Sequence, residues 1–566
     1  RRAMSSLLAL ALGAITFPVG GEAAEYIDET RPVDVKPNGS LPANEGRGRL
    51  DISDDGRYVL FASSSTELTD HTYPVSPYGA PIWHVFRRDM LTGEVELVDV
   101  NSAGRVAKGG AIGAEMSADG NKIVFRAPGS ELGPEPLPDE IYVRDMTTGG
   151  LELVNRADGP DGDPVWRVGT ALSISADGTK VAFVSYDAGI DPDVTIPPNA
   201  DVLHVYVRDL EAGTTEFADC MGGDPCTPSP GNRSNHSIQL SDSGRYVLFD
   251  TYEEPRPSCI DRPELDYACS QFYVRDMQER TTTLVSRADG VNGEAGNSWA
   301  SVAYLSGDGR HVAFDTASTN LGAELPPNNQ YLGMQWTYVR DLDAATTKLV
   351  SRADGLDGAA AATGAFVQGI SRDGDDVIFA STDDALAGFP RDNGLEAFVR
   401  HVGAGRTELV SRRDGGFGIP SETSPDGTTS GYGAISAGGD FVVFSSSDPA
   451  LTGVPGFETS HVFRRQITGE PAPPVVDEKV QLHPDDGAVE VQIPGSPYFE
   501  ELERGTQVPL GSVIDAGDGA LEILSEDPDP EEPLRHMVWS DGEFVTDQES
   551  DGEQLSEAIL DGPLLD

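Results

Sequence analysis

SADGTKVAF at residues 175–183, followed by HVYVRD at 204–209, is the stretch on which the fold turns. Ser-x-Asp-Gly is a tight-turn signal, and the apolar run that leaves it and ends in Phe183 has the length and composition of a strand. The same opening recurs as SDDGRYVLF ending at Phe61, SADGNKIVF at Phe125, SDSGRYVLF at Phe249, SGDGRHVAF at Phe314, SRDGDDVIF at Phe379 and SAGGDFVVF at Phe444. The seven terminal Phe residues stand 64, 58, 66, 65, 65 and 65 positions apart. A period of this length with no 3.6-residue pattern marks repeated β units rather than helical ones.

Working outward, each opening is followed by a variable loop and a second signature: HVFRRD to Asp89, IYVRD to Asp145, HVYVRD to Asp209, FYVRD to Asp276, TYVRD to Asp341, AFVRH to His401 and HVFRRQ to Gln466. A short turn then leads to runs such as VELVDV, LELVNR, TTLVSR, TKLVSR and TELVSR, and LDIS, ALSIS, IQLS and AYLS precede the next turns. Four strands per unit, repeated seven times, predict an all-β, seven-bladed β-propeller whose blades bury their apolar faces only against one another. The seventh unit lacks its last strand, which would leave an open edge. Residues 31–39 (RPVDVKPNG) match 96–104 (ELVDVNSAG), placing Val33, Asp34 and Val35 on Val98, Asp99 and Val100. The N-terminal segment is therefore expected to supply the outer strand of the last blade.

The S-x-D-G-x-x-V-x-F unit followed by Y-V-R-D resembles the TolB-like propeller repeat of exported bacterial proteins, over about residues 30–470. The resemblance implies the propeller fold and an extracytoplasmic setting. In such relatives the loop before Y-V-R-D reads G-D-x-N-G-x-x-D. Here the sixth copy comes nearest, with Arg391-Asp392-Asn393-Gly394-Leu395-Glu396, which makes Asp392, Asn393 and Glu396 candidate ligand-binding residues. Seven-bladed polysaccharide lyases carrying a metal in the channel are the enzymes that resemble this architecture; their clustered histidines have no counterpart in the sequence.

The ends of the chain read differently. Arg1 and Arg2, an apolar run from Leu7 to Val19 and small residues at Gly20, Gly21, Ala23 and Ala24 have the order of a signal peptide, expected over 1–24. The run is too short to span a bilayer. The propeller is expected over 25–470, a Pro-rich linker over 471–480, and a small β module over 481–566, where VPLGSVIDAGDGALEIL (508–524) and MVWSDGEFVTDQE (537–549) lack the repeat. The expected location is secreted or periplasmic. Cys220, Cys226, Cys259 and Cys269 then pair as disulfides, the two local pairings 220 with 226 and 259 with 269 closing the shortest loops. Their spacing contains no CxxC of a zinc site.

Acidic residues number 94 against 40 Lys and Arg, a formal net charge of −54, which repels nucleic acid and anionic membranes. The expected partner is a protein or a glycan, bound by a monomer. The Asp of S-x-D-G and the Arg-Asp pair repeat in nearly every blade, so they are expected to serve turns rather than one catalytic site. His84, His204 and His461 share a third-strand column and are expected at the surface or between blades, and His236 lies on an innermost strand. Neither HExxH nor G-x-S-x-G occurs. No catalytic residue, metal site or cofactor is assigned; calcium is the one cation to consider, and DGPDGD at 158–163 departs from the EF-hand pattern. Both tight connections fall on one face of the ring. The long loops 62–82, 184–203 and 250–271 and the RADG segments around Asp158, Asp289 and Asp354 fall on the other, where binding is expected. The reading is a binding or scaffold protein, with a polysaccharide lyase or glycoside hydrolase acting on that face as the alternative.

Overall fold

In the computed structural model the repeats form seven four-stranded antiparallel sheets. The structure describes residues 30–467 except for parts of the connecting loops, of which 253–269 and 413–432 are the longest, together with strands between 479 and 560. Blade 1 runs from the axis outward as Gly46–Ile52, Tyr58–Ser63, His84–Asp89 and Val95–Leu97. The innermost strands of blades 2 to 7 are Ile112–Met116, Val168–Ile174, Gln239–Leu240, Ala300–Leu305, Phe366–Ile370 and Gly433–Ile435. Each packs on the innermost strands of both neighbours, and the seventh packs on the first, so the ring is closed. The ring forms one compact unit spanning Asp28–Gly469.

The last blade is completed from the other end of the chain. Thr30–Pro32 pairs antiparallel with His461–Gln466, with Thr30 opposite Arg465 and Pro32 opposite Phe463. Val33 N then donates to Val462 O at 2.7 Å, and the Asp34 carboxylate takes both His461 Nδ1 (2.8 Å) and Val462 N (3.0 Å). Asp99 holds His84 Nδ1 (2.6 Å) and Val85 N (3.1 Å) in the same way, as the match of 31–39 with 96–104 requires.

The repeated residues are explained by the blade. In S-x-D-G, Asp119 Oδ1 accepts from Ser117 Oγ (2.7 Å) and Asn121 N (3.0 Å), while Ser117 Oγ accepts Lys122 N (2.9 Å). The glycine is needed twice over. Gly120 sits at φ +69°, and a Cβ there would lie 2.7 Å from Tyr58 of the preceding blade. In Y-V-R-D the Asp145 carboxylate caps the following turn at Thr147 N (2.9 Å) and Thr148 N (2.8 Å), which holds it below the usual carboxylate range. The terminal Phe of every second strand meets the aromatic ring of its third-strand neighbour, with centroids 5.5 to 6.2 Å apart in all seven blades. Such pairs add to the gain from burial itself.

The RADG segments prove to be clamps between blades. Arg340 of blade 5 reaches back to Ala288 O (3.0 Å) and Gly290 O (3.0 Å), and Asp289 caps the exposed-edge amide of Thr347 at 2.6 Å. Asp158 caps Thr215 N and Asp354 caps Thr407 N, each at 3.0 Å. The outer strand is thereby relieved of unpaired donors. These three carboxylates therefore stabilise sheet edges, which corrects their placement with the binding loops. Blade 7 repeats the clamp across the chain ends, where Arg465 Nη1 donates to Thr30 Oγ1 (2.7 Å) and Arg412 O (3.1 Å).

Blade 6 carries His401 where blades 1 to 5 carry an Asp. Burial opposes its protonation, but Asp376 (2.6 Å from Nδ1) and Glu408 win and push it up to about 9, against the opposing charge of Arg406. A folded-state value above the unfolded ~6.5 stabilises fully below pH 6.5, and the contribution disappears as pH rises through about 9. Between pH 6.5 and 9.5 the Tm of the wild type should fall by about 2–5 °C more than that of His401→Gln. Parallel melting curves would refute the charged His401.

Cys220 and Cys226 form a disulfide, Cα atoms 5.4 Å apart, beside the outer strand of blade 3; Cys259 and Cys269 lie outside the described residues. The expected signal segment 1–24 and most of the expected linker 471–480 also lie outside them, while Lys479 and Val480 already begin the strand Lys479–Asp486. The C-terminal strands form two sheets. One is ordered Thr506–Pro509, Lys479–Asp486, Ala520–Ser525, Arg535–Ser540; the other is ordered Glu500–Glu501, Glu490–Gln492, Val513–Asp515, Glu543–Val545, Ile559–Leu560. Among the described residues no helix is long and apolar enough to cross a membrane.

Candidate functional site

The S-x-D-G turns meet around the axis and narrow that end of it. Their second residues are linked from blade to blade by backbone bonds: Asp54 N to Ala118 O, Ala118 N to Ala176 O, Ala176 N to Asp242 O and Asp242 N to Gly307 O, at 2.9 to 3.0 Å, with Arg372 N to Ala437 O at 3.0 Å. Arg372 reaches across the ring and pairs with Asp54 of blade 1 (2.7 Å) and Asp242 of blade 4. The axial space is thus narrowed on the turn face by a backbone ring and an ion triplet.

Behind this ring lies a pocket of about 180 Å³ lined by all seven blades. Its wall is built from one column, the residue two places before each S-x-D-G serine: Asp51, Glu115, Ser173, Gln239, Tyr304, Gly369 and Ala434. In the first blades the column side chain caps an amide of the next blade. Asp51 Oδ2 accepts Met116 N (2.8 Å), Ser173 Oγ accepts Leu240 N (3.0 Å) and Gln239 Oε1 accepts Leu305 N (2.6 Å). Glu115 is held by Arg49, Ser173 and the Ile174 amide. Burial, reinforced by the Glu115 charge, pushes Asp51 up to about 7, and burial raises Glu115 despite Arg49. Burial thus favours the protonated form of both carboxylates.

Blades 6 and 7 break the pattern. Gly369 and Ala434 bring almost no side chain to the column, and the position before Gly369 is Gln368, only 2 % exposed, with neither amide atom hydrogen-bonded among the described residues. The strand register shifts between Val367 and Gly369, so Gln368 is the extra residue of a bulge. Bulges re-aim side chains, and Gln368 is among the residues that line the pocket. A Cβ at Gly433 would lie 2.5 Å from Gln368 Oε1, so the amide occupies room that only glycine leaves.

The opposite end of the axis carries apolar side chains in water. Ile112, Trp166, Trp299 and Phe366 are 40 to 56 % exposed, and all sit at or just before the starts of innermost strands, remote from the turns. Trp166, Arg167, Tyr186 and Asp139 outline a shallow hollow there, with the Arg167 guanidinium 5.0 Å from the Tyr186 ring centroid.

Among the candidates drawn from sequence, Asp392 and Asn393 lie outside the described residues, as does His236. Glu396 is buried at the start of a third strand and accepts from Ser411 Oγ, away from the axial pocket. His84, His204 and His461 are buried, each gripped by an Asp of its own blade, so of the two expected settings the surface is excluded. No group of three or more His, Cys, Asp or Glu side chains able to hold a metal occurs among the described residues. The axial residues Arg49, Asp51, Glu115, Gln368 and Arg372 were not singled out from sequence. For Asp51 and Glu115 the signal is the column two places before the turn, which reads Asp, Glu, Ser, Gln, Tyr, Gly, Ala; Arg49, Gln368 and Arg372 lie outside that column.

No protein-family model matches the chain, and no curated protein matches it. Solved structures that it resembles include TolB from Acinetobacter baumannii (14 % identity, 59 % of this chain, 60 % of that chain, TM-score 0.32). Others are an oligogalacturonate lyase in complex with manganese (12 %, 78 % and 99 %, 0.42) and the β-propeller domain of the Trilobed protease from Pyrococcus furiosus (11 %, 75 % and 96 %, 0.42). The chain thus spans less than two thirds of the TolB structure's length. Likeness at this level carries nothing about ligand or reaction.

Proposed function

We propose that this propeller is an exported binding protein that takes a protein or glycan partner on its loop-rich face. The observation that carries the reading is that Ile112, Trp166, Trp299 and Phe366, four of the eight exposed large hydrophobic side chains among the described residues, all stand at or just before the starts of innermost strands on that face. Exposed apolar side chains that share a face are a mark of interaction sites. The net charge of −54 argues against polyanionic partners, and the disulfide accords with an oxidising compartment.

The test is retention of immobilised partners by the wild type and by the triple variant Trp166→Ala, Trp299→Ala, Phe366→Ala. The triple variant should lose at least tenfold in affinity with its Tm within about 2 °C of the wild type, since exposed positions contribute little to stability. Equal retention would overturn the reading. The proton affinity of Asp51 and Glu115 within one pocket favours a second reading, a carbohydrate-active enzyme. New reducing or unsaturated ends released from a polysaccharide, with or without chelator, would establish that reading over the first.

A further inference from the structure

Four of the loops that lead from one blade to the next follow the same path, each closed by an isolated bridge: Arg156 to Pro164, Cys220 to Pro228, Arg287 to Ala295 and Arg352 to Ala360. Three of them share one device. The guanidinium that opens the loop donates to a carbonyl six residues on: Arg156 Nη1 to Gly162 O (3.0 Å), Arg287 Nε to Gly293 O (2.9 Å) and Arg352 Nε to Gly358 O (2.9 Å). The glycine is required, because a Cβ at Gly162, Gly293 or Gly358 would lie 2.0 Å from the carbonyl oxygen of Ala157, Ala288 or Ala353.

The loop after blade 3 carries cysteines at both positions. Cys220 stands where the arginine stands, Cys226 where the glycine stands, and the two are bonded to each other. Gly222 replaces the residue that in the other loops is Asp158, Asp289 or Asp354 and caps the next outer strand. This loop therefore lacks the arginine tie, the glycine and the aspartate cap together, and a covalent bond spans the same six residues instead. Blade 4 nonetheless grips it as the other blades grip theirs. Arg275 Nη1 donates to Gly222 O (2.8 Å), and Thr282 Oγ1 donates to Cys220 O, as Thr215, Thr347 and Thr407 do to Arg156, Arg287 and Arg352.

We propose that Cys220 and Cys226 form a redox-set clamp for the joint between blades 3 and 4. The oxidised pair holds the loop closed for Arg275 and Thr282 to grip, and reduction releases this joint alone of the four. Cys220 is buried, whereas Cys226 is partly exposed and is the sulfur open to attack. A dithiol reductant attacks Cys226 Sγ as its thiolate, and the Sγ–Sγ bond breaks with Cys220 leaving as a thiolate that takes up a proton. The second thiol of the reductant then closes on the first and releases Cys226 as a thiol, so the pair is reduced by two electrons and the reductant becomes a cyclic disulfide. Two thiols, weak hydrogen-bonding groups, cannot replace the arginine tie. The joint is thus fully held only in an oxidising compartment.

Hydrogen exchange of the full chain, with and without dithiothreitol, tests the clamp. Reduction should speed exchange about tenfold or more at residues 220–229 and on the outer strand Thr281–Leu284, while the matching strands Thr214–Phe217 and Thr346–Leu349 stay as they were. The triple variant Cys220→Arg, Gly222→Asp, Cys226→Gly rebuilds the device of the other loops. It should exchange at these places like the oxidised wild type, whether or not reductant is present. The double variant Cys220→Ser, Cys226→Ser should exchange like the reduced wild type in both conditions, and it decides the matter should the pair resist the reductant or the triple variant misfold. A double variant as protected as the oxidised wild type overturns the clamp. So does a reductant effect of equal size in the triple variant, which would place the sensitive bond elsewhere, or one spread evenly over all four joints.

Discussion

A chain lacking residues 30–36 should fail to show the cooperative unfolding transition of the wild type, or melt at least about 10 °C lower. Val33 and Val35, both buried, contribute about 1.5–3 kcal/mol each by burial. The deletion also strips His461 Nδ1 and Val462 N of the Asp34 carboxylate and takes Thr30 from Arg465, itself fully buried. Unmet buried groups of this kind add about 1–3 kcal/mol apiece. The sum reaches the net stability of an ordinary domain, about 5–15 kcal/mol. Blade 1 suffers too, because Val33 shares a packed cluster with Phe61, Phe86 and Phe441. A synthetic peptide of residues 28–38 added to the shortened chain should restore the transition. A deletion variant that melts with the wild type would show that the ring does not depend on this strand.

Asp219→Ala should lower Tm by about 5–10 °C, an unusually large effect for a polar substitution. The Asp219 carboxylate, 2 % exposed, accepts from His204 Nδ1 (2.8 Å), Val205 N (3.0 Å) and Ser229 Oγ (2.6 Å). Alanine removes one acceptor from three buried donors, worth about 3–5 kcal/mol together. The protein contains its own control. Blade 4 solves the same problem with Gln271 and Ser286, whose hydroxyl accepts Phe272 N at 3.2 Å and donates to Gln271 Oε1 at 2.5 Å. The double variant His204→Gln, Asp219→Ser transplants that pair and should recover more than half of the loss. A Tm for Asp219→Ala within about 2 °C of the wild type would refute the account, and so would a double variant no more stable than the single one.

These two expectations show unequal legibility. The seven-fold repeat, the four strands and the closure by Val33, Asp34 and Val35 could be read directly, because every blade must solve the same packing problem and leaves the same residues behind. The roles of the third-strand histidines could not. His84, Glu140, His204, Gln271, Trp336, Glu396 and His461 look like a column of unrelated residues until their partners on the fourth strand are known, and Asp34, the partner of His461, is 427 positions away in the chain. The RADG segments misled for a related reason. Their Asp residues sit in polar, glycine-rich loops like binding loops, yet each is used by the edge of the following blade.

The sequence by itself determined the architecture of this protein: seven units, the turn residues that join them and the strand that closes them. It did so because local turn chemistry and short apolar runs act within a few residues, and repetition makes them unmistakable. Only the tertiary structure decided which residues face the axis together. Asp51, Glu115, Gln368 and Arg372 come from blades 1, 2 and 6, and they share one pocket because ring closure, not chain proximity, brings innermost strands side by side. Whether a buried amide is met or unmet depends on all seven walls at once, and no single repeat contains that information.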